Sequence, residues 1–161
     1  MLKMGKTHFV LLVTVLLVDV TQSVSTRSGG KPTNIEVAWE RFSAGDYLFG
    51  KPNATWEEAK SLCRSYGGKL LEIEDRTERE SIVERLMDKN ISEIWVGGKF
   101  EDGKWQWAST KKLVDPKIGD LYNYDYDAGE EHCLEIQRDY DYHLNDADCN
   151  VKKRFTCEKS R

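Results

Sequence analysis

The chain has 161 residues, 39% of them hydrophobic and 32% charged, with a formal net charge of −4 at pH 7. That length makes one domain behind an N-terminal leader, and the acidic balance excludes the nucleic-acid binders that work through basic patches. The acidity is local: from Asp120 to Asp148 ten acids stand against the single base Arg138, a net of −9, while the rest of the chain beyond residue 23 is net +4.

The chain opens with Lys3 and Lys6, then the apolar run "FVLLVTVLLVDV" from Phe9 to Val20, then "TQSVST". A short basic start, an apolar centre and a small-residue exit describe a secretory signal peptide, taken here as residues 1–23. The run is shorter than the roughly 20 apolar residues that span a bilayer. A secreted, extracellular protein without a membrane anchor is therefore expected. Residues 24–38 include "STRSGGKPT" and read as a flexible leader, leaving 39–158 as the folded domain.

Strand-like material comes first, at "IEVAWERF" and "DYLFG". The stretch "TWEEAKSLCRSYGG" reads as a helix. Thr55 and Glu58 form a capping box, Ala59, Leu62 and Cys63 lie on its inner side, and Gly67-Gly68 ends it. After the strand-like "KLLEIE", a second capping box of Thr77 with Glu80 opens a helix whose Ile82, Val83, Leu86 and Met87 make one apolar face. The later periodicity is short and strand-like: "EIWVGG", "KWQWAS", "CLEIQ" and "RFTCEK". Helices early and strands late indicate an α+β domain. Between Ser109 and Glu130 no regular period is present, which in a compact domain marks a functional or disordered loop. Most of the acids sit there or just after it.

Four cysteines, Cys63, Cys133, Cys149 and Cys157, in an exported chain read as two disulfides with three possible connectivities. Zinc is excluded by spacing, since no Cys-x-x-Cys or His-x-x-x-His pair occurs. Asn53-Ala-Thr and Asn90-Ile-Ser are acceptor sequons for N-glycosylation. Trp95, Trp105 and Trp107 are expected in the core.

Taken together, "WEEAKSLCRSYGGKLLEIE", "WVGG", "KWQWAS", "GEEHCLEI", "LNDADC" and "FTCEK" resemble a C-type lectin-like domain over Trp39 to Glu158. The resemblance implies two helices and two small antiparallel sheets with a long irregular loop. It also implies the nested disulfides Cys63–Cys157 and Cys133–Cys149, stabilising by about 4–5 and about 3 kcal/mol in the chain-entropy model. Sugar binders of this family hold calcium in the long loop, and the ion contacts two sugar hydroxyls. The matching metal ligands here are Asn123, Asp125, Glu131, Asn145 and Asp146, with Asn123, Asp125, Glu131 and Asn145 also contacting carbohydrate. Oxygens from these side chains, plus the Asp146 carbonyl, would supply about six of the 6–8 that calcium takes. Such an ion would also relieve the repulsion in the acidic loop.

Two departures qualify the match. Leu144 replaces the family's tryptophan before Asn-Asp. Asn123-Tyr124-Asp125 lacks the central proline of the family's loop triplet, and a cis bond before Tyr124 would cost about 2.5–4 kcal/mol against about 0.5–1 before proline. A weaker site is expected, with Asp120 or Asp127 as substitutes. The family's auxiliary calcium site is expected to be lost, because Tyr126 and His132 stand at its ligand positions. The amide-then-acid order of Asn123 and Asp125 is like the galactose-type triplet.

The expectation is thus a secreted, calcium-dependent lectin that binds glycans or glycoproteins, with innate recognition as a fold-level analogy. The alternative is a lectin-like domain without sugar binding that meets a protein partner through Tyr122, Tyr124, Tyr126, Tyr140, Tyr142 and the surrounding acids. No nucleophile in a recognisable setting and no phosphate loop occur, so an enzyme is not expected.

Overall fold

The computed structural model describes residues 38–43, 45–119 and 131–159. The signal peptide, nearly all of the leader, Asn123 and Asp125, and Tyr122, Tyr124 and Tyr126 lie outside these residues.

Two antiparallel sheets carry the fold. Strands β1 (Glu40–Phe42), β2 (Gly45–Phe49), β3 (Lys69–Leu70) and β8 (Thr156–Glu158) make the first, in the order β1-β2-β8-β3. Strands β4 (Glu93–Glu101), β5 (Lys104–Trp107), β6 (Cys133–Gln137) and β7 (His143–Ala147) make the second, in the order β5-β4-β6-β7. The sheets are joined where Trp95 of β4 bridges in parallel to Phe155 and its amide donates to the Arg154 carbonyl at 2.8 Å.

Helix α1 (Trp56–Ser65) starts as its sequence dictates. The Thr55 hydroxyl accepts from the Glu58 amide, and the Glu58 carboxylate accepts from the Thr55 amide. This satisfies two of the N–H groups that a helix start leaves without partners. At its end Gly67 takes a φ of 82°, which costs a residue without Cβ little, and the Gly68 amide returns to the Cys63 carbonyl. Trp56, Ala59 and Cys63 are fully buried, in a core they share with Trp95, Phe155 and Cys157.

Helix α2 (Arg76–Asp88) begins earlier than the Thr77–Glu80 box predicts. Asp75 is its cap, accepting from the Glu78 amide at 2.8 Å, while the Glu78 carboxylate reaches back to the Glu74 amide at 2.7 Å. A carboxylate at the positive end of the helix is at least as good a cap as a hydroxyl, so the upstream pair wins. The apolar face is narrower than predicted. Ile82 and Leu86 are fully buried and Val83 is half-buried, whereas Met87, about 100° further round from Leu86, is 60% exposed. The described part of the segment after Ser109, up to residue 119, carries regular structure that its lack of period does not suggest: Leu113 bridges to Gln106, and a third short helix, α3, runs from Pro116 to Gly119.

Trp95, Trp105 and Trp107 are core, with 0%, 3% and 4% of their surface exposed. The register of β4 against β6 shifts between Trp95 and Lys99. There the Gly97 amide donates to the Leu71 carbonyl and its own carbonyl accepts from Ala108, while any Cβ on Gly98 would run into Leu134. The two glycines of "WVGG" thus serve a bulge and a close approach. Both disulfides match the expected nesting, Cys63–Cys157 with Cα atoms 5.4 Å apart and Cys133–Cys149 with 5.2 Å.

Close to the first disulfide, Lys69 lies 3.0 Å from both the Glu72 and Glu158 carboxylates, and Glu158 also accepts from the Glu72 amide. Burial pushes the Glu158 carboxyl up to about 7, against the pull of Lys69 and the amide. A carboxyl whose folded value lies above its unfolded one binds more protons when folded, so its contribution is fully present below pH 4.5 and is lost as pH rises through about 7. The expected loss across that window is roughly 3 kcal/mol. Glu158→Gln has no such titration. Its stability relative to wild type is therefore expected to improve by that amount between pH 4.5 and 7.5, read by chemical denaturation at each pH. Parallel curves for the two proteins would refute the assignment.

Candidate functional site

The β6–β7 ladder sets Glu135 opposite Asn145 and Leu134 opposite Asp146. Alternation along a strand sends Leu134, Ile136 and Leu144 into the core beneath α2, and Cys133, Glu135, Asn145 and Ala147 to the other face. Glu135 is 1% exposed in spite of its charge. Its Oε2 lies 2.7 Å from the ammonium of Lys153, and its Oε1 accepts from Asn145 Nδ2 at 3.1 Å. Lys153 also reaches Glu93 at 3.2 Å and sits 5.2 Å from the centre of the Trp95 ring. Burial raises the Glu135 carboxyl above its ordinary range against the opposing pull of Lys153. Burial lowers the Lys153 ammonium, but its bond to Glu135 and the Glu93 charge more than offset this and raise it. The ammonium is therefore charged, and it neutralises the interior end of this face.

This network fixes the Asn145 carboxamide. Both of its N–H groups are engaged, one by Glu135 and one by the Asp146 carbonyl at 2.6 Å. The amide oxygen Oδ1 remains as the acceptor of that group. An oxygen held in this way suits a hard cation, which takes carbonyl and carboxylate oxygens. By contrast, an N–H donated from Asn145 to a sugar hydroxyl would first have to leave Glu135 or Asp146.

Three of the five expected ligands are described. Asn145 and Asp146 are neighbours on β7, both half-buried, and Glu131 is exposed two residues ahead of Cys133. All three lie within two positions of the Cys133–Ala147 row, which the Cys133–Cys149 disulfide clamps. Asn123 and Asp125 lie outside the described residues. Among the described residues, no three carboxylate, histidine or cysteine side chains gather to hold a metal.

Of the other expected residues, His132 stacks on Phe100 with ring centres 5.8 Å apart. Tyr142 is 8% exposed and packs in the core, its hydroxyl donating to the Ile91 carbonyl and accepting from Arg138, while Tyr140 is 36% exposed. Both sequon asparagines are exposed. Asn90 accepts from Arg138 through Oδ1, which leaves its Nδ2 for a glycan linkage. Glu135 and Lys153 are absent from the sequence-derived site. The available signal was a glutamate in phase with the disulfide-bonded Cys133 of "CLEIQ" and a lysine before a buried strand.

The lectin C-type domain family matches residues 52–159. The C-type lectin Cal of Crotalus atrox is 31% identical over 132 residues, covering 78% of this chain and 97% of that protein. The galactose-specific lectin nattectin of Thalassophryne nattereri is 27% identical, covering 76% and 78%. Among solved structures, SPL-1 in complex with GlcNAc superposes with a TM-score of 0.65 at 25% identity, covering 75% of this chain and 91% of that one. The chain belongs to the C-type lectin domain family. That family is generally non-enzymatic and includes carbohydrate-binding homologues. No helix among the described residues is long and apolar enough to cross a membrane.

Proposed function

We propose that the protein is a secreted, calcium-dependent lectin with a preference for galactose-type sugars. The observation that carries this reading is the Asn145 carboxamide, whose nitrogen is tied inward by Glu135 and the Asp146 carbonyl so that its oxygen is the group left for a cation. Glu131, Asn145 and Asp146, with Asn123 and Asp125 from the acidic segment, would hold the ion. When bound, calcium would offer open coordination positions to two neighbouring sugar hydroxyls. Around it, the chain's carboxylates accept hydrogen bonds from those hydroxyls, and Asn123 is the amide expected to donate. The basic-apolar start of the chain, the two disulfides and the exposed Asn53 and Asn90 sequons support an exported glycoprotein, and innate recognition is the role by analogy. Relatives named as lectins support the sugar-binding class, and one named galactose-specific supports the lean.

A ligand that binds only the folded state raises its melting temperature, by the equivalent of about 2.7 kcal/mol at a hundredfold excess over Kd. Calcium is expected to raise the midpoint of the wild-type protein relative to EDTA, and Asp146→Asn to abolish the shift while leaving the EDTA midpoint within a few degrees. The wild-type protein should then be retained on a galactose resin in calcium and eluted by EDTA. Lack of retention on both galactose and mannose resins would favour the protein-partner reading. The engaged N–H groups of Asn145 are the observation in its favour.

A further inference from the structure

A cavity of about 380 Å³ is formed by β1, β2, the residues after β2, the ends of α1 and α2 and the residue that precedes Phe155. Its walls include Phe49 and Tyr66, and its charged groups are Glu40, Lys51, Lys89 and Arg154. Glu40 and Lys89 neutralise each other at 2.7 Å, and Lys89 also lies 5.3 Å from the centre of the Phe49 ring. That leaves two cations. Lys51 is exposed and, among the described residues, in no ion pair. Arg154 is half-buried. Among the described residues its one side-chain bond is Nε to the Gly50 carbonyl at 3.0 Å, with no carboxylate beside it. Burial without a counter-ion pushes its guanidinium down from its ordinary value. Two such cations at one aromatic-walled cavity, one of them half-buried with no counter-ion among the described residues, define a chemistry.

Desolvating a guanidinium without a partner is unfavourable, and the cost is recovered when an oxyanion accepts from its forked N–H groups. The volume is at the small end for ligand cavities, about 300–1,000 Å³, which fits a compact ring and excludes a long acyl chain. The apolar lining contributed by Phe49 and Tyr66 suits the C–H side of a sugar ring. The geometry points to this cavity as a binding site for an acidic saccharide unit, its sulfate or carboxylate on Arg154 and Lys51 and its ring against the apolar lining that includes Tyr66 and Phe49. The site shares no residue with the calcium set Asn123, Asp125, Glu131, Asn145 and Asp146, and needs no metal.

The test is run in EDTA, so that its outcome is independent of the calcium reading. Galactose 6-sulfate, glucuronate, galactose and inorganic sulfate are titrated into the full-length secreted protein by calorimetry, with saturation-transfer NMR reporting which ring protons are in contact. The two acidic sugars are expected to saturate, galactose not to bind, and inorganic sulfate to bind about tenfold more weakly because it lacks the ring. Arg154→Met and Lys51→Met are each expected to weaken the acidic sugars about tenfold. Lys51 is exposed and bonds to none of the described residues, so Lys51→Met decides the matter even if losing the Arg154–Gly50 bond impairs folding. Absence of saturation by either acidic sugar, unchanged affinity in Lys51→Met, or equal affinity for inorganic sulfate would each overturn the assignment.

Discussion

Lys153→Met is expected to destabilise the protein by about 3–5 kcal/mol, because it leaves the Glu135 carboxylate buried without its counter-charge. The carboxylate is 1% exposed, and its remaining partner in the ladder is the neutral Asn145 amide. The loss should be read by urea denaturation at pH 7. Glu135→Gln combined with Lys153→Met removes both charges. The double variant is expected to recover much of the loss, since what is costly is the unpaired charge and not the missing attraction. Equal stabilities for the single and double variants would show that water reaches Glu135 freely. The same variants bear on function. The carboxamide introduced by Glu135→Gln can still accept from Asn145, so the proposed calcium site should survive the double substitution better than Lys153→Met alone.

Replacing Cys63 and Cys157 together by serine is expected to cost about 4–5 kcal/mol, since the pair closes a loop of 94 residues. Native domains have about 5–15 kcal/mol in total, so the variant should be largely unfolded near body temperature. The bond ties α1 to β8, the central strand on which β2 and β3 both pair. The Cys133–Cys149 pair spans 16 residues and is expected to contribute about 3 kcal/mol. Its loss should be felt mainly at β6 and β7, as a weakening of the proposed calcium site in a chain that still folds. Urea denaturation of both double-serine variants gives the order. A larger loss from the short loop would contradict the chain-entropy account.

Local rules made much of this fold legible. The Thr55–Glu58 box, the glycine exit of α1, the buried tryptophans and the short strands are each dictated within a few residues. Failures arose where two local solutions competed, as between Asp75 and Thr77, or where tertiary packing set the limit, as at Met87. Of the candidate site, Glu131, Asn145 and Asp146 came from the family resemblance, through the glutamate two residues before Cys133 and the Leu-Asn-Asp strand, and not from any local rule. The Glu135–Lys153–Glu93 network was not legible, because its acidic members are 18 and 60 residues from Lys153 and meet it only through the sheet register. No periodicity announces such a pair. The cavity beside Lys51 was equally hidden, since Lys51 and Arg154 read as ordinary surface residues until Gly50 and Arg154 are brought together.

The register of the first sheet has a mechanical consequence. Glu40 pairs with Tyr47, and Tyr47 with Glu158, so the strands by which the chain enters and leaves this sheet lie in a single cross-strand row. Two strand spacings separate them, about 10 Å. A pulling force applied through both ends would act across the strands and peel their bonds open one after another, the weak direction for a β-structure. An instrument stretching the domain between its ends should thus meet low resistance at first. The force should then climb sharply when the tension reaches the sulfur bridge at Cys157.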